Sequence, residues 1–274
     1  MPDLSGALVI ARALPIPAGF GSRRALHLIE RNLMSYRRTW LVFVSGVFEP
    51  VFYLLSIGVG LGKLIPDVSG PGGRPVGYVE FVAPALLATA AMNGAIYDST
   101  FNIFFKLKYG KVYDAILATP LGVGDVALGE IGWALIRGAL YAVSFLGVAI
   151  AFGSGRTWWS LLAVPAALLI GFAFAGVGMA ATAFMRSWQD FEWITLAMMP
   201  MFLFSTTFFP LGVYPRWLQV SVECTPLFQG IEIVRGLMLG SVGPVLLGRA
   251  AYLAALGALG LAVASRRLSR LLLA

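Results

Sequence analysis

The chain has 274 residues, 59% of them hydrophobic and only 12% charged, with a formal net charge of +7. A soluble domain carries about 25% charged residues, so this composition excludes an ordinary water-exposed globule and points to a bilayer protein. The basic residues lie beside apolar stretches, which points to anionic lipid headgroups and away from nucleic acid as partner, and the single cysteine, Cys224, excludes an intrachain disulfide.

The first twenty residues include Pro15, Pro17 and Gly19 without a sustained apolar core, so they read as a tail rather than a cleavable signal. From Ser22 to Thr39, Leu26, Ile29, Leu33 and Tyr36 recur at helical spacing, with Arg24, His27, Arg31 and Arg38 roughly opposite. That pattern predicts a basic amphipathic helix, lying in the membrane interface or simply solvated. Six apolar stretches follow, at 40–61, 78–105, 126–152, 158–184, 191–209 and 245–264. Each is near the roughly 20 residues that a helix needs to cross the hydrocarbon core. The expected organisation is a cytoplasmic tail and interfacial helix over 1–39, a six-helix transmembrane domain over 40–264 and a basic cytoplasmic tail over 265–274.

Orientation follows from the basic residues. With the N-terminus inside, thirteen of the 20 Lys and Arg fall on the inner side, five on the outer side and two, Arg137 and Arg249, within spans. Both termini are therefore expected in the cytoplasm of a bacterial plasma-membrane protein. The inner loop 106–125 repeats Tyr109, Val112, Tyr113, Ile116 and Leu117 at helical spacing before Pro120. The outer connection 210–244 stays apolar but is broken by Pro210, Pro215 and Pro226, which suits a re-entrant helical hairpin.

Charges within spans cost about 2.5–3.5 kcal/mol each on insertion scales, so each needs a reason. Glu49, Asp98 and Arg137 fall at similar depth in spans one, two and three, and Glu130 lies about two helical turns from Arg137 on the same face. Arg137 is expected to pair with Glu49 or Asp98, either as an ion pair locking helices together or as a polar patch on a translocation path. Ala250, Ala254, Ala258 and Ala262 form a small-residue stripe on span six, suited to close approach of another helix. Met198, Met199 and Phe202 surround Pro200 in span five and offer adaptable contacts to an apolar ligand, or plain packing.

Several chemistries are missing. Gly60-Leu61-Gly62-Lys63-Leu64 lacks the first glycine and the hydroxyl residue of a phosphate-binding loop. One histidine and one cysteine assemble neither a zinc site nor a Ser-His-Asp site, and Cys224 reads as a small buried side chain.

Read together, these features resemble a family. Span one carries Trp40, Phe48-Glu49-Pro50 and Tyr53-Leu54, and the inner loop carries Tyr113-Asp114-Ala115-Ile116-Leu117-Ala118-Thr119-Pro120-Leu121. Span three opens with Asp125, Leu128-Gly129-Glu130 and Trp133-Ala134. The outer hairpin carries Phe208-Phe209-Pro210, Pro226-Leu227, Ile233, Arg235 and Met238-Leu239-Gly240. In this order the chain resembles permease subunits of the ABC-2 type of ATP-binding-cassette exporters, within the group of nodulation J and daunorubicin-resistance permeases.

The resemblance implies a non-catalytic half-transporter that pairs with a second copy of itself and recruits two separate ATPase subunits. ATP and Mg would be held by those partners, with no cofactor on this chain. It implies a coupling helix in the inner loop, formed here by Lys108, Tyr109, Lys111, Val112, Tyr113, Asp114 and Leu117. It also implies export of an amphipathic molecule: a lipid, glycolipid, lipo-oligosaccharide or drug. The competing expectation is an ion- or proton-coupled carrier that uses Glu49, Asp98 and Arg137 as a relay. For the inner-loop helix itself, docking to an ATPase competes with binding to lipid headgroups through Lys106, Lys108 and Lys111.

Overall fold

The computed structural model describes residues 23–36, 48, 51–62, 64–65, 67–119, 121–155 and 157–272. Helix α1 spans Arg23–Tyr36. Helix α2 covers 51–61, and its Leu54–Leu61 portion takes wider π-type turns. A small antiparallel hairpin pairs β1 (Val68–Ser69) with β2 (Pro75–Val76). Helix α3 (Tyr78–Lys108) leads to the short α4 (Val112–Leu117), then to α5 (Val123–Ala151) and α6 (Trp158–Thr182). The remaining helices are α7 (Phe191–Phe204), α8 (Arg216–Glu223), α9 (Pro226–Met238) and α10 (Val245–Leu272).

Among the described residues, α3, α5, α6 and α10 are long and apolar enough to cross a bilayer. The shortest, α6, has 25 residues and reaches about 38 Å, beyond the roughly 30 Å hydrocarbon core. These four helices correspond to expected spans two, three, four and six. Of span one, residues 48 and 51–61 are described, 51–61 as α2, while 40–47, 49 and 50 lie outside the described residues. Helix α7, the expected span five, has 14 residues, about 21 Å, and ends at Phe204 rather than 209. Its end has a local cause: Thr206 is left-handed (φ 60°), and the Thr207 hydroxyl donates to the Phe202 carbonyl at 2.8 Å.

The core sits where α6 meets α10, α3 and α5. At the α6–α10 crossing, Gly176 faces Gly257 and Gly260 so closely that a methyl group on Gly176 or Gly260 would run into the opposite backbone, and one on Gly257 into the Phe172 ring. The buried face of α10 is Leu253, Gly257, Gly260, Ala264 and Leu268. The alanine stripe, expected to approach another helix, is only partly covered: Ala250 packs on the core and Ala254 is half-buried, while Ala258 and Ala262 are exposed. Glycine permits closer backbone approach than alanine, so the glycine face takes the inner position. Helix α10 also runs on to Leu272, carrying Arg266, Arg267 and Arg270 on its last turns.

Helix α1 forms as its periodicity predicts, but a different face is covered. Leu28 and Asn32 are buried, Ile29 touches Gly132 of α5, and Leu33 and Met34 are exposed. Contact with α5 selects this face and turns Arg31 and Asn32 inward. The side chains of Leu26, His27 and Tyr36 lie outside the described ones.

Candidate functional site

Helix α3 ends where the Tyr109 and Gly110 amides both donate to the Phe105 carbonyl, at 3.1 and 2.8 Å. Lys111 then takes a left-handed conformation (φ 44°), and this reverses the chain into α4. At the other end the Gly122 amide donates to Asp125 Oδ2 at 3.0 Å, capping the start of α5. The short helix is thus pinned between two long ones. Its apolar side faces inward: Tyr113 and Ile116 are buried, and Val112 and Leu117 pack on the core. Lys108, Tyr109, Lys111 and Asp114 are exposed. The ridge that the sequence offers to a partner is therefore spent on the bundle, and the polar side is bare.

Beneath α4 lies a polar cluster centred on Glu130, which is 4% exposed. Lys106 Nζ donates to both its carboxylate oxygens, at 2.8 and 2.7 Å. Asn32 Nδ2 donates to Oε2 at 3.3 Å, and an Arg31 guanidinium nitrogen lies 3.5 Å from Oε1. The Asn32 amide oxygen accepts from Arg31 at 3.1 Å and from Lys106 at 3.4 Å. One carboxylate thus ties α1, α3 and α5 together. The Tyr113 hydroxyl of α4 is buried and makes no hydrogen bond of good geometry among the described residues. Burial foremost, then the nearby Glu130 charge, push the Tyr113 phenol well above its usual pKa, against the opposing pull of Arg31. The phenol stays neutral.

A second tier lies deeper. Arg137 of α5 pairs with Asp98 of α3 at 2.8 Å, their side chains 10% and 9% exposed. The pair forms as expected, with Asp98 as the described partner; Glu49 lies outside the described residues. Glu130, although on the same helix, joins the other tier. Asp98 opens a π-type turn, Asp98–Asn102, within α3. Such turns free backbone groups and recur at functional sites. Here the Thr182 hydroxyl of α6 serves the freed Ser99 carbonyl at 3.0 Å, and Gly178 lets α6 close onto Ser99. Ala90, Ala91, Gly94, Ala134 and Gly138 line a narrow cleft leading to the ion pair.

Helix α7 is only partly covered: Ile194, Met198 and Met201 pack against the core, and Phe191 packs on Phe101 and Phe104 of α3. Among its 14 residues only Phe191 is buried. Met199 is exposed, and Met198 and Phe202 are half-buried. Met199 contributes to an open groove with Phe101, Trp188, Phe191 and Leu196.

Three features escaped sequence reasoning. Lys106 read as a loop residue and Asn32 drew no reading at all, yet both belong to the Glu130 cluster. Arg235, counted as an outer-loop charge, is 2% exposed and clamps the hairpin. It donates to the Thr206 carbonyl at 2.7 Å and to Glu232 at 2.7 Å, with its guanidinium 3.9 Å from the Phe81 ring centroid. The signal for it was present, as a basic residue inside an apolar helical stretch. Cys224, expected to be buried, is exposed. Among the described residues no group of three or more His, Cys, Asp or Glu could hold a metal ion.

Comparison with known proteins places this architecture. A family model described as ABC-2 type transporter matches residues 24–239, from α1 through α9. Nodulation protein J of Rhizobium leguminosarum bv. trifolii is 34% identical over 80% of this chain and 83% of its own length. Nodulation protein J of Rhizobium meliloti (strain 1021) is 33% identical, over 77% of this chain and 80% of the relative. A probable doxorubicin resistance ABC transporter permease protein of Mycobacterium tuberculosis is more distant, 22% identical over 79% and 76%. Membrane-length helices, an inward-locked short helix between α3 and α5, and a match over most of the chain lead to one conclusion: this membrane protein belongs to the ABC-2 type transporter family.

Proposed function

We propose that the chain is the membrane subunit of an ATP-driven exporter for an amphipathic molecule, such as a glycolipid, lipo-oligosaccharide or drug. Two copies would form the permease, and two separate ATPase subunits would bind and hydrolyse ATP with Mg. Each copy would span the membrane six times, with both termini in the cytoplasm and α8–α9 forming a re-entrant outer hairpin. The observation that carries this reading is α4. Its buried Tyr113 and Ile116 fix it to the ends of α3 and α5, while Tyr109, Lys111 and Asp114 stand free to meet a partner. A rigid mount with a bare polar face is what force transmission from a cytoplasmic motor needs.

The names of the relatives support the reading, since one is a probable ABC transporter permease protein linked to doxorubicin resistance. The uncovered side of α7 supports pairing of two copies: Trp193, Leu196 and Met199 are 71%, 62% and 64% exposed on one short helix. A second copy would cover that surface, with Met198, Met199 and Phe202 near the joint path.

The test is co-purification from native membranes. Tyr109→Ala and Asp114→Arg alter the exposed face directly; Tyr113→Ala and Leu117→Ala release the mount. Each should weaken ATPase association by about 1–2 kcal/mol, the scale of a real interface anchor. If all four variants insert normally and retain the ATPase with full hydrolysis, the docking reading fails and α4 is a lipid-surface element.

A further inference from the structure

Glu130 has no assigned part in transport, yet three side chains from two other helices converge on its carboxylate. Its carboxylate is buried and holds two cations and one amide, each from a defined direction. Lys106 lies near the end of α3, two residues before it, and Arg31 and Asn32 lie on α1. The buried Tyr113 of α4, on the short helix, lies close enough to feel the Glu130 charge. A bundle held for stability alone has no need of this: a buried ion cluster adds little over apolar packing, and its net worth is small. What such a cluster does supply is fixed relative geometry, because every partner must satisfy the same two oxygens.

The geometry points to Glu130 as the joint through which displacement of α4 is passed to α1, α3 and α5 as one body. This rests on the reading of α4 as the ATPase-facing helix and adds what happens behind it. Tyr113 presses on the cluster from one side, and the cluster hands the motion to three helices. Glu130 is a positioning residue: it touches neither ATP nor cargo. The deeper Asp98–Arg137 pair then keeps α3 and α5 moving together further along the bundle.

The inference separates ATP hydrolysis from movement. The experiment uses the complex of this chain with its co-purifying ATPase, in a Cys224→Ala background with a nitroxide at Val213→Cys, a position 68% exposed before the outer hairpin. Pulsed electron resonance reads the Val213–Val213 distance between the two copies with and without ATP plus vanadate. The unaltered cluster should show a nucleotide-dependent shift. Glu130→Gln keeps the shape and removes the charge. It should assemble with the ATPase and hydrolyse ATP, while the population that shifts falls about five- to ten-fold, the range of a typical coupling between sites. Glu130→Asp keeps the charge and both carboxylate oxygens for Lys106, Arg31 and Asn32, and should recover most of the shift.

A full shift in Glu130→Gln overturns the proposal, as does failure of Glu130→Asp to recover it in a normally assembled complex. If both variants fail to insert, the cluster is a folding element and the proposal is again wrong. Failure of the underlying reading looks different, because the α4 surface variants would then retain the ATPase whatever Glu130 does.

Discussion

Arg137 and Asp98 sit 2.8 Å apart with side chains 10% and 9% exposed, so removing one strands the other in an apolar bundle. At an effective dielectric of about 20 their attraction is about 6 kcal/mol. Desolvation of both ions cancels most of that, which leaves the intact pair worth little over an apolar one. Breaking it is another matter and costs about 3–5 kcal/mol. Arg137→Met keeps much of the stem volume, and at about 2–4 °C per kcal/mol the melting temperature should drop by about 6–20 °C. The double variant Arg137→Met with Asp98→Leu removes both charges and should recover at least about half of the loss. Fluorescence-detected melting of the detergent-solubilised protein reads all three. If Arg137→Met melts within about 2 °C of the parent, the pair is water-filled and the buried-lock argument is wrong.

Other expectations are equally direct. Gly257→Val overpacks the α6–α10 crossing and should cost about 1–3 kcal/mol, whereas Ala258→Val on the exposed stripe should change stability by less than about 0.5 kcal/mol; thermal melting of the two separates the glycine face from the alanine face. Arg235→Lys keeps the charge but loses the fork that reaches Thr206 and Glu232, so hydrogen exchange across 205–207 should speed up, with a loss of about 2–3 kcal/mol. Single cysteines at Arg74 and Lys108 in a Cys224→Ala background should be labelled from opposite sides of the membrane by an impermeant maleimide. Labelling from one side would overturn the proposed topology.

The sequence made the expensive features legible. A charge inside an apolar helix demands a partner, so depth alone narrowed the partner of Arg137 to Glu49 or Asp98, and the structure pairs it with Asp98. The four long helices were equally plain, because apolar runs of that length have few other uses. Direction was harder. Periodicity says that α4 and α1 each have an apolar side, not what covers it. In α4 that side is spent on the bundle, and in α1 contact with α5 rotates the covered face to Leu28 and Asn32. The alanine stripe misled for a related reason: four-residue spacing marked a smooth face, while Gly257 and Gly260 marked the one that permits closest approach. The Glu130 cluster was illegible because its members come from positions 31, 32, 106 and 130, and only the fold brings them together.

The central claim is that a separate ATPase sits on the exposed face of α4, and a photo-cross-linker in place of Asp114 reports on this most directly. Incorporated in the native membrane and irradiated, it should join the chain to an ATP-binding subunit identified by mass spectrometry, with Tyr113→Ala in the same chain lowering the yield. Cross-links to lipid alone, at full yield and indifferent to Tyr113→Ala, would contradict the account.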